Sequence, residues 1–378
     1  MVGGGEGAFI GAVHRMAARL TGEIDLVAGA FSRRAESNHL TGNKEGLPKS
    51  RIYASYAALF SSEAQRTPAE RPDFITIVTP NDSHAPIAIA AMEAGFDVLC
   101  DKPMADTLSA AQTMVATAQR TGRRLGITHT YAGYPLVKQA RALLQHGDAG
   151  AVRRVQVNYT QDWLSRAADT NASAQATWRT DPARSGEGGA MGDIGTHAFH
   201  LVEYVTGLRV ESLCADIRAT LAGRVLDDDG ACLFKLEQGA RGTLTASQIC
   251  TGDANALTLS VYCDEMALHW AQETPNRLQV KRRDRPEEIW SPGSNRPYLA
   301  AEALMATRVP AGHPEGYIEA FANIYAAFTA DILSDSHSEA GHGYASAADA
   351  LACMRFVHAT RISSERNASW VNLMQMEQ

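Results

Sequence analysis

Long apolar runs are missing from this chain of 378 residues. None approaches the roughly 20 residues that span a bilayer, and no basic region followed by an apolar stretch opens the N-terminus, so neither a membrane span nor a secretory signal is expected. An excess of positive charge is missing too. Lys and Arg number 35 against 42 Asp and Glu, a formal net charge of −7, which argues against general affinity for nucleic acid or anionic membrane. The six cysteines (Cys100, Cys214, Cys232, Cys250, Cys263, Cys353) form no CxxC pair. They are expected as buried thiols of a reducing, cytoplasmic compartment, with no zinc site and no disulfide framework. No internal repeat or low-complexity tract appears. What is present is ordinary for a globular protein: 45% apolar and 20% charged residues, with enough length for two domains that each bury a core.

The first third alternates strands and helices. Residues 9–20 carry apolar positions at Ile10, Val13, Ala17 and Leu20, the pattern of an amphipathic helix. Strands are predicted at 24–31, 74–78, 98–100 and 124–128, with helices at 85–94 and 109–119. Such alternation argues for βαβ units and a parallel sheet. The character changes after about residue 130. Strands at 152–159, 231–236, 242–248 and 256–263 suggest a second domain on an antiparallel or mixed sheet. Asp227-Asp228-Asp229-Gly230 reads as a solvated turn, 291–310 as a loop, and 316–333 and 346–365 as late helices. The expected division is 1–128 and 129–378.

Gly3-Gly4-Gly5-Glu6-Gly7-Ala8 matches G-x-G-x-x-[GA] and runs straight into the first helix. Glycines there allow a tight turn and close approach of backbone amides to a pyrophosphate at a helix N-terminus. Gly3, Gly5, Gly7, Ala8, Phe9 and Ile10 are the expected contacts. Only Met1 and Val2 precede the turn, too little to pair securely in a sheet centre, so the first strand is expected to be truncated and completed by residues upstream. The second strand ends in Ser32-Arg33-Arg34 with no carboxylate until Glu36. An acidic residue there favours NAD; Ser32 and Arg33 tolerate NADP, Arg33 equally suits stacking on adenine, and both arginines equally suit the start of an exposed helix.

Thr79, Pro80, Asn81 and His84 follow the next strand, where a βα loop borders the nicotinamide side, and Asp82 or Ser83 reads as a helix cap. Asp101-Lys102-Pro103 sits at the carboxyl end of the strand at 98–100, where ligands bind in open α/β sheets. A lysine there can hold a substrate hydroxyl and stabilise negative charge as hydride leaves. Asp193 and His197 stand four apart, on one face of a helix entered through Gly188-Gly189. An imidazole can accept a hydroxyl proton near neutral pH; a capping aspartate and a core histidine fit the same pattern. His200, one turn on, reads as a packing residue.

Together these residues resemble the glucose–fructose oxidoreductase/inositol dehydrogenase family, Gfo/Idh/MocA, over essentially the whole chain. The resemblance rests on the turn at 3–8, on Asp101-Lys102-Pro103 in place of the more usual Glu-Lys-Pro, and on Gly188-Gly189…Asp193…His197. It implies an N-terminal Rossmann domain with a doubly wound parallel sheet, and a C-terminal α+β domain with a large open, mostly antiparallel sheet that often mediates homodimers or homotetramers. It places the catalytic lysine on Lys102, the aspartate on Asp193 and the histidine on His197. Asp101 joins the cofactor contacts, with a shorter reach than glutamate, and family members use NAD or NADP.

Substrate-choosing residues are less constrained. Trp163, Arg166, Trp178 and Arg179 could stack on and hydrogen-bond a sugar; Tyr131, Gln248 and His313 are further candidates. Arg166, Arg179 and Arg184 could favour an anionic sugar, or could form surface salt bridges. The leading expectation is an NAD(P)-dependent dehydrogenase acting on a secondary hydroxyl of a sugar, inositol or related polyol. Its rivals are an NAD-dependent glycosidase that oxidises, eliminates and re-reduces without net cofactor turnover, and a non-catalytic nucleotide-sensing protein.

Overall fold

Short, largely apolar runs build the first sheet. β1 (Val2–Gly3), β2 (Phe74–Val78), β3 (Asp97–Cys100) and β4 (Leu125–Ile127) lie parallel in that order, and Ala345–Ser346 closes the edge antiparallel to β4. Ile75, Ile77, Val98, Leu99 and Ile127 are all buried, as expected of a parallel sheet covered on both faces. The helices between are α1 (Phe9–Leu20), α2 (Ala35–Lys44), α3 (Tyr56–Glu63), α4 (His84–Glu93) and α5 (Leu108–Thr121). α5 shows why the chain starts and stops there. The Thr107 hydroxyl accepts the Ala110 N–H at its start, and Gly122 ends it in the left-handed conformation.

The computed structural model describes residues 1–166, 174–334 and 343–376. It divides into two units, Met1–His129 with Phe321–Leu351, and Thr130–Ala320 with Ala352–Gln378. The return of Phe321–Leu351 to the first unit is marked by no change of composition. It supplies Tyr325, whose hydroxyl lies 2.7 Å from His14 Nδ1, and Phe328 and Tyr344, which pack on Gly126 of β4.

β1 is two residues long, yet it pairs on both sides. Val2 and Gly3 lie opposite Ile77 and Val78, and Val2 bridges Ala30. The Met1 amine is buried and donates to the Ala28 carbonyl at 2.9 Å. Because so little of β1 is available to pair, the predicted strand at 24–31 is not a regular strand: it forms only isolated bridges at Gly29 and Ala30. Beside Met1 a cavity of about 580 Å³ is bordered by Ile24, Leu26, Ala28, Phe74 and Thr76.

The second unit is built on nine strands: β5 (Val152–Thr160), β6 (Val210–Arg218), β7 (Asp229–Leu236), β8 (Arg241–Ser247), β9 (Ala256–Cys263), β10 (Met266–Ala271), β11 (Leu278–Arg282), β12 (Glu288–Trp290) and Val371–Asn372. The spatial order is β12-β11-β10-β9-β5-β8-β7-β6 and then Val371–Asn372. All neighbours are antiparallel except β5 and β8. β7 alternates, with Cys232, Phe234 and Leu236 buried and Leu233 exposed, so one sheet face carries the core. α6 (Pro135–Gln145) and the Thr196–Thr206 helix pack against that core, where Phe199 stacks on Phe356 at 4.7 Å. β6 and β10–β12 were not foreseen, because polar and charged residues interrupt their apolar runs. Inside the expected loop at 291–310 lies a short helix, Ala301–Met305, that buries Ala303. All six cysteines are free; Cys100, Cys232 and Cys353 are buried, whereas Cys214, Cys250 and Cys263 are only partly so.

Candidate active site

In the first unit the glycine turn does what its composition demands. Gly4 and Gly11 approach so closely that a Cβ on Gly11 would stand 2.3 Å from the Gly4 Cα. Gly7 has a φ of +83°, and a Cβ there would meet nothing within 4 Å, so its position opens on free space. α1 then begins at Phe9, and its N-cap residue, Ala8, has no side-chain group to cap the helix amides. Uncapped amides at a helix start, with open space before them, form a cradle that fits a dinucleotide pyrophosphate. The turn at Phe31 and Ser32 is set by Asn38, a residue the sequence reading missed. Its Oδ1 accepts the Phe31 N–H at 2.7 Å and the Ser32 N–H at 3.3 Å, and its Nδ2 donates to the Tyr53 carbonyl at 2.9 Å. The Ser32 hydroxyl accepts the Arg34 N–H, while Arg33 and Arg34 are exposed.

At the carboxyl ends of β2 and β3 two loops are tied by one histidine. His84 is 1% exposed; its Nδ1 lies 2.8 Å from the Pro103 carbonyl and its Nε2 2.7 Å from the Thr79 carbonyl. Both ring nitrogens are thereby engaged with the main chain. His84 braces the loop that carries Lys102 against the loop at Thr79. Thr79 and Pro80 are half-buried and Asn81 is buried. Ser83 does not cap α4 with its side chain; its hydroxyl lies 2.8 Å from the Thr79 hydroxyl. Asp101 accepts the Thr128 hydroxyl at 2.8 Å and stands 3.7 Å from His14 Nε2. Burial raises its pKa, but His14, Lys102 and His84 outweigh that and hold the carboxyl well below its usual range. Lys102 is half-buried, at the end of β3 where the sequence placed it.

In the second unit Asp193 is not on the α-helix that carries His197. Met191–Gly195 forms a π turn, with the Thr196 N–H bonded to the Met191 carbonyl, and the α-helix Thr196–Thr206 follows. The wider turn changes which residues share a face, and such turns recur at functional sites. Asp193 Oδ2 accepts Gln248 Nε2 at 2.9 Å and lies 3.3 Å from Arg179 Nε. The Arg179 guanidinium sits 4.4 Å over the Trp178 ring. Three residues expected to touch substrate are thus gathered around one carboxylate.

His197 is 7% exposed and meets the Tyr131 ring edge-on at 4.8 Å. Behind it lies a closed ring of hydrogen bonds. The Tyr131 and Tyr159 hydroxyls are 2.5 Å apart, Tyr159 donates to Asn255 Oδ1 at 2.6 Å, and Asn255 Nδ2 donates to the Tyr131 hydroxyl at 3.2 Å. Gln161 extends the network to Asn255 at 2.8 Å, and Trp163 Nε1 donates to Gln161 Oε1 at 2.8 Å. Burial raises the pKa of both phenols, so they stay protonated through the neutral range. Tyr159, Asn255 and Gln161 escaped the sequence reading because only strand register brings them beside Tyr131. His200 is buried and stacks on Tyr204 at 5.8 Å. Arg166 and His313 are exposed; the His313 ring lies 3.1 Å from the Pro310 carbonyl, and the helix begins only at Tyr317. Asp227 and Asp228, read as solvated, are buried.

Comparison with known proteins agrees with this arrangement. Residues 1–129 match the family model described as an oxidoreductase family with an NAD-binding Rossmann fold, and residues 137–269 match the GFO/IDH/MocA C-terminal domain. An uncharacterized oxidoreductase of Bacillus subtilis (strain 168), YfiI, is 32% identical over 331 residues, 87% of this chain and 83% of that protein. An inositol dehydrogenase homologue from Azotobacter vinelandii, solved with NAD+, is 33% identical with a TM-score of 0.92 and covers 98% of this chain and 96% of its own. The same homologue with NADH and myo-inositol superposes at a TM-score of 0.90 with 32% identity, again over 98% and 96%. No described helix is long and apolar enough to cross a membrane. The glycine cradle before α1, the open antiparallel sheet and these matches place the chain in the Gfo/Idh/MocA family, as an NAD(P)-binding oxidoreductase.

Proposed function

We propose that this protein transfers hydride between a secondary hydroxyl of a sugar, inositol or related polyol and a nicotinamide. The observation that carries the reading is Asp193, held by Arg179 and Gln248 on the turn that leads into His197. Bound NAD or NADP supplies the hydride acceptor, held by the turn at 3–8 and the loops at Thr79–Asn81 and Asp101–Lys102. Lys102 donates a hydrogen bond to the substrate oxygen and stabilises the negative charge that develops there. His197 takes the hydroxyl proton during oxidation, and Asp193 orients substrate and imidazole. Arg179 is engaged with Asp193, so it is a weaker anchor for an anionic sugar than its sequence suggested. The A. vinelandii complex with NADH and myo-inositol supports a polyol substrate. Cytoplasmic homodimers or homotetramers complete the proposal.

The test is mass spectrometry of nucleotide released from the purified protein, with absorbance of the reduced nicotinamide followed over a panel of polyols and glycosides. Net reduction of the cofactor, lost in Lys102→Ala, is the expected result. Glycoside cleavage without net reduction would replace this reading with a redox-neutral glycosidase. Bound nucleotide with no turnover of any compound would leave a nucleotide sensor.

A further inference from the structure

Asp227 and Asp228 sit in a run of aspartates that composition assigns to the surface, yet they are 8% and 1% exposed. Each makes a set of bonds that leads to the candidate site. The Asp227 carboxylate accepts the Gly189 N–H at 2.6 Å on one oxygen and the Met191 N–H at 2.7 Å on the other. Its carbonyl accepts the Ala190 N–H at 2.8 Å. Three consecutive amides entering the π turn are therefore held by one residue. The fit is close: a Cβ on Gly189 would stand 1.9 Å from the Asp227 carbonyl oxygen.

Asp228 serves the other side of Asp193. Its carboxylate accepts the Thr220 N–H at 2.8 Å, the Thr220 hydroxyl at 2.7 Å and Arg224 Nη1 at 2.8 Å. So fixed, its carbonyl accepts the Gln248 N–H at 2.8 Å. Gln248 is the residue whose side chain donates to Asp193. One dipeptide thus holds both partners of the Asp193–Gln248 hydrogen bond, the carboxylate through Gly189–Met191 and the carboxamide through its own backbone.

We propose that Asp227 is a positioning residue, whose anion holds the Gly189–Met191 amides so that Asp193 keeps its place, with Asp228 setting Gln248 against Asp193. A carboxylate suits the task because each of its two oxygens accepts an amide, in charge-assisted bonds stronger than neutral ones. An asparagine of the same shape turns an N–H toward one of those donors. Burial pushes the Asp227 carboxyl above its ordinary range, and the amides of Met191 and Gly189 act against that by favouring the anion. The proposal rests on the oxidoreductase reading for its effect on turnover, but not for the clamp itself.

The experiment compares Asp227→Asn in the wild-type and Asp193→Asn backgrounds, with turnover, dinucleotide dissociation constant and amide hydrogen exchange measured on each. In the wild-type background kcat is expected to fall at least tenfold while the dinucleotide dissociation constant changes less than twofold. In the Asp193→Asn background the same change should alter kcat less than twofold, because the group being positioned is already gone. Equal fold-losses in both backgrounds, or an unchanged kcat, overturn the proposal. If the wild-type protein oxidises no compound, the function reading fails and exchange decides alone. Faster exchange of residues 186–195 with residues 9–20 unchanged supports the clamp, and unchanged exchange at 186–195 refutes it. Should Asp227→Asn not fold, Asp228→Asn carries the same comparison through Gln248, with faster exchange expected at 245–250 and unchanged exchange there refuting it.

Discussion

Two glycine-rich entries to helices, at residues 3–8 and 188–192, look alike in sequence and work in opposite ways. The first leaves the amides of α1 without a side-chain cap and faces open space at Gly7. The second has its amides filled by the protein's own anion, Asp227. One turn is shaped to receive a charged ligand. The other is closed on an internal carboxylate and serves to hold the residues that follow it. Glycine allows close approach in both; what approaches is decided by residues far away in the chain.

The largest effect that tests this contrast is at His197. His197→Ala should lower kcat by roughly 10²–10⁴-fold, the usual contribution of a positioned general base, while dinucleotide affinity measured by fluorescence titration stays within twofold. A parallel loss of affinity would merge the two regions into one role. Next, Gly189→Ala drives a methyl group against the Asp227 carbonyl, and overpacking of that kind costs about 1–3 kcal/mol. Calorimetry should show a lower Tm together with reduced kcat; an unchanged Tm would mean that the second turn is not closed. Gly7→Ala meets no atom, so its cost is the positive φ, about 1–2 kcal/mol. Its methyl group enters the open cradle, and the dinucleotide dissociation constant should rise roughly tenfold, with kcat at saturation little changed.

The smallest effect is one of pH. Burial raises the Asp227 carboxyl above its ordinary value of 3.8, so the folded protein takes up that proton first as pH falls. Folded protein then binds more protons than unfolded, which by itself raises global stability slightly even as the clamp weakens. Asp101 and Asp228 behave in reverse. Burial acts on them too, but His14, Lys102 and His84 around Asp101, and Thr220 and Arg224 around Asp228, hold both below 3.8. Their stabilising contribution is complete above 3.8 and is lost as pH drops beneath it. In a paired titration kcat should therefore decline on the acid side before Tm does, and the two falling in step would contradict the contrast.

Much of the first unit was legible because its signals are local. A β-branched run, a Thr cap and a terminal glycine fix β2 and α5 within a few residues, and Lys102 lands where a strand end predicts it. The second unit's site is made by register. Asn255 and Gln161 meet Tyr131 and Tyr159 only because β5 and β9 pair as they do, and no spacing in the sequence announces this. Asp227 and Asp228 were misread for the same reason: their partners lie 38 and 8 residues away, and charge alone says surface. The π turn at Met191–Gly195 escaped because a hydrophobic pattern does not distinguish one inserted residue from a regular helix.

The return of Phe321–Leu351 to the first unit has a consequence for biosynthesis. His14, Thr76 and β4 acquire their neighbours Tyr325, Phe328 and Tyr344 only from the late segment. The first unit is thus finished late, since the sheet edge beside β4 waits for Ala345–Ser346, which follows the intervening Thr130–Ala320 of the second unit. A ribosome must make all of Thr130–Ala320 before the first unit can close its core, and a fragment cut after residue 129 carries that unit unfinished.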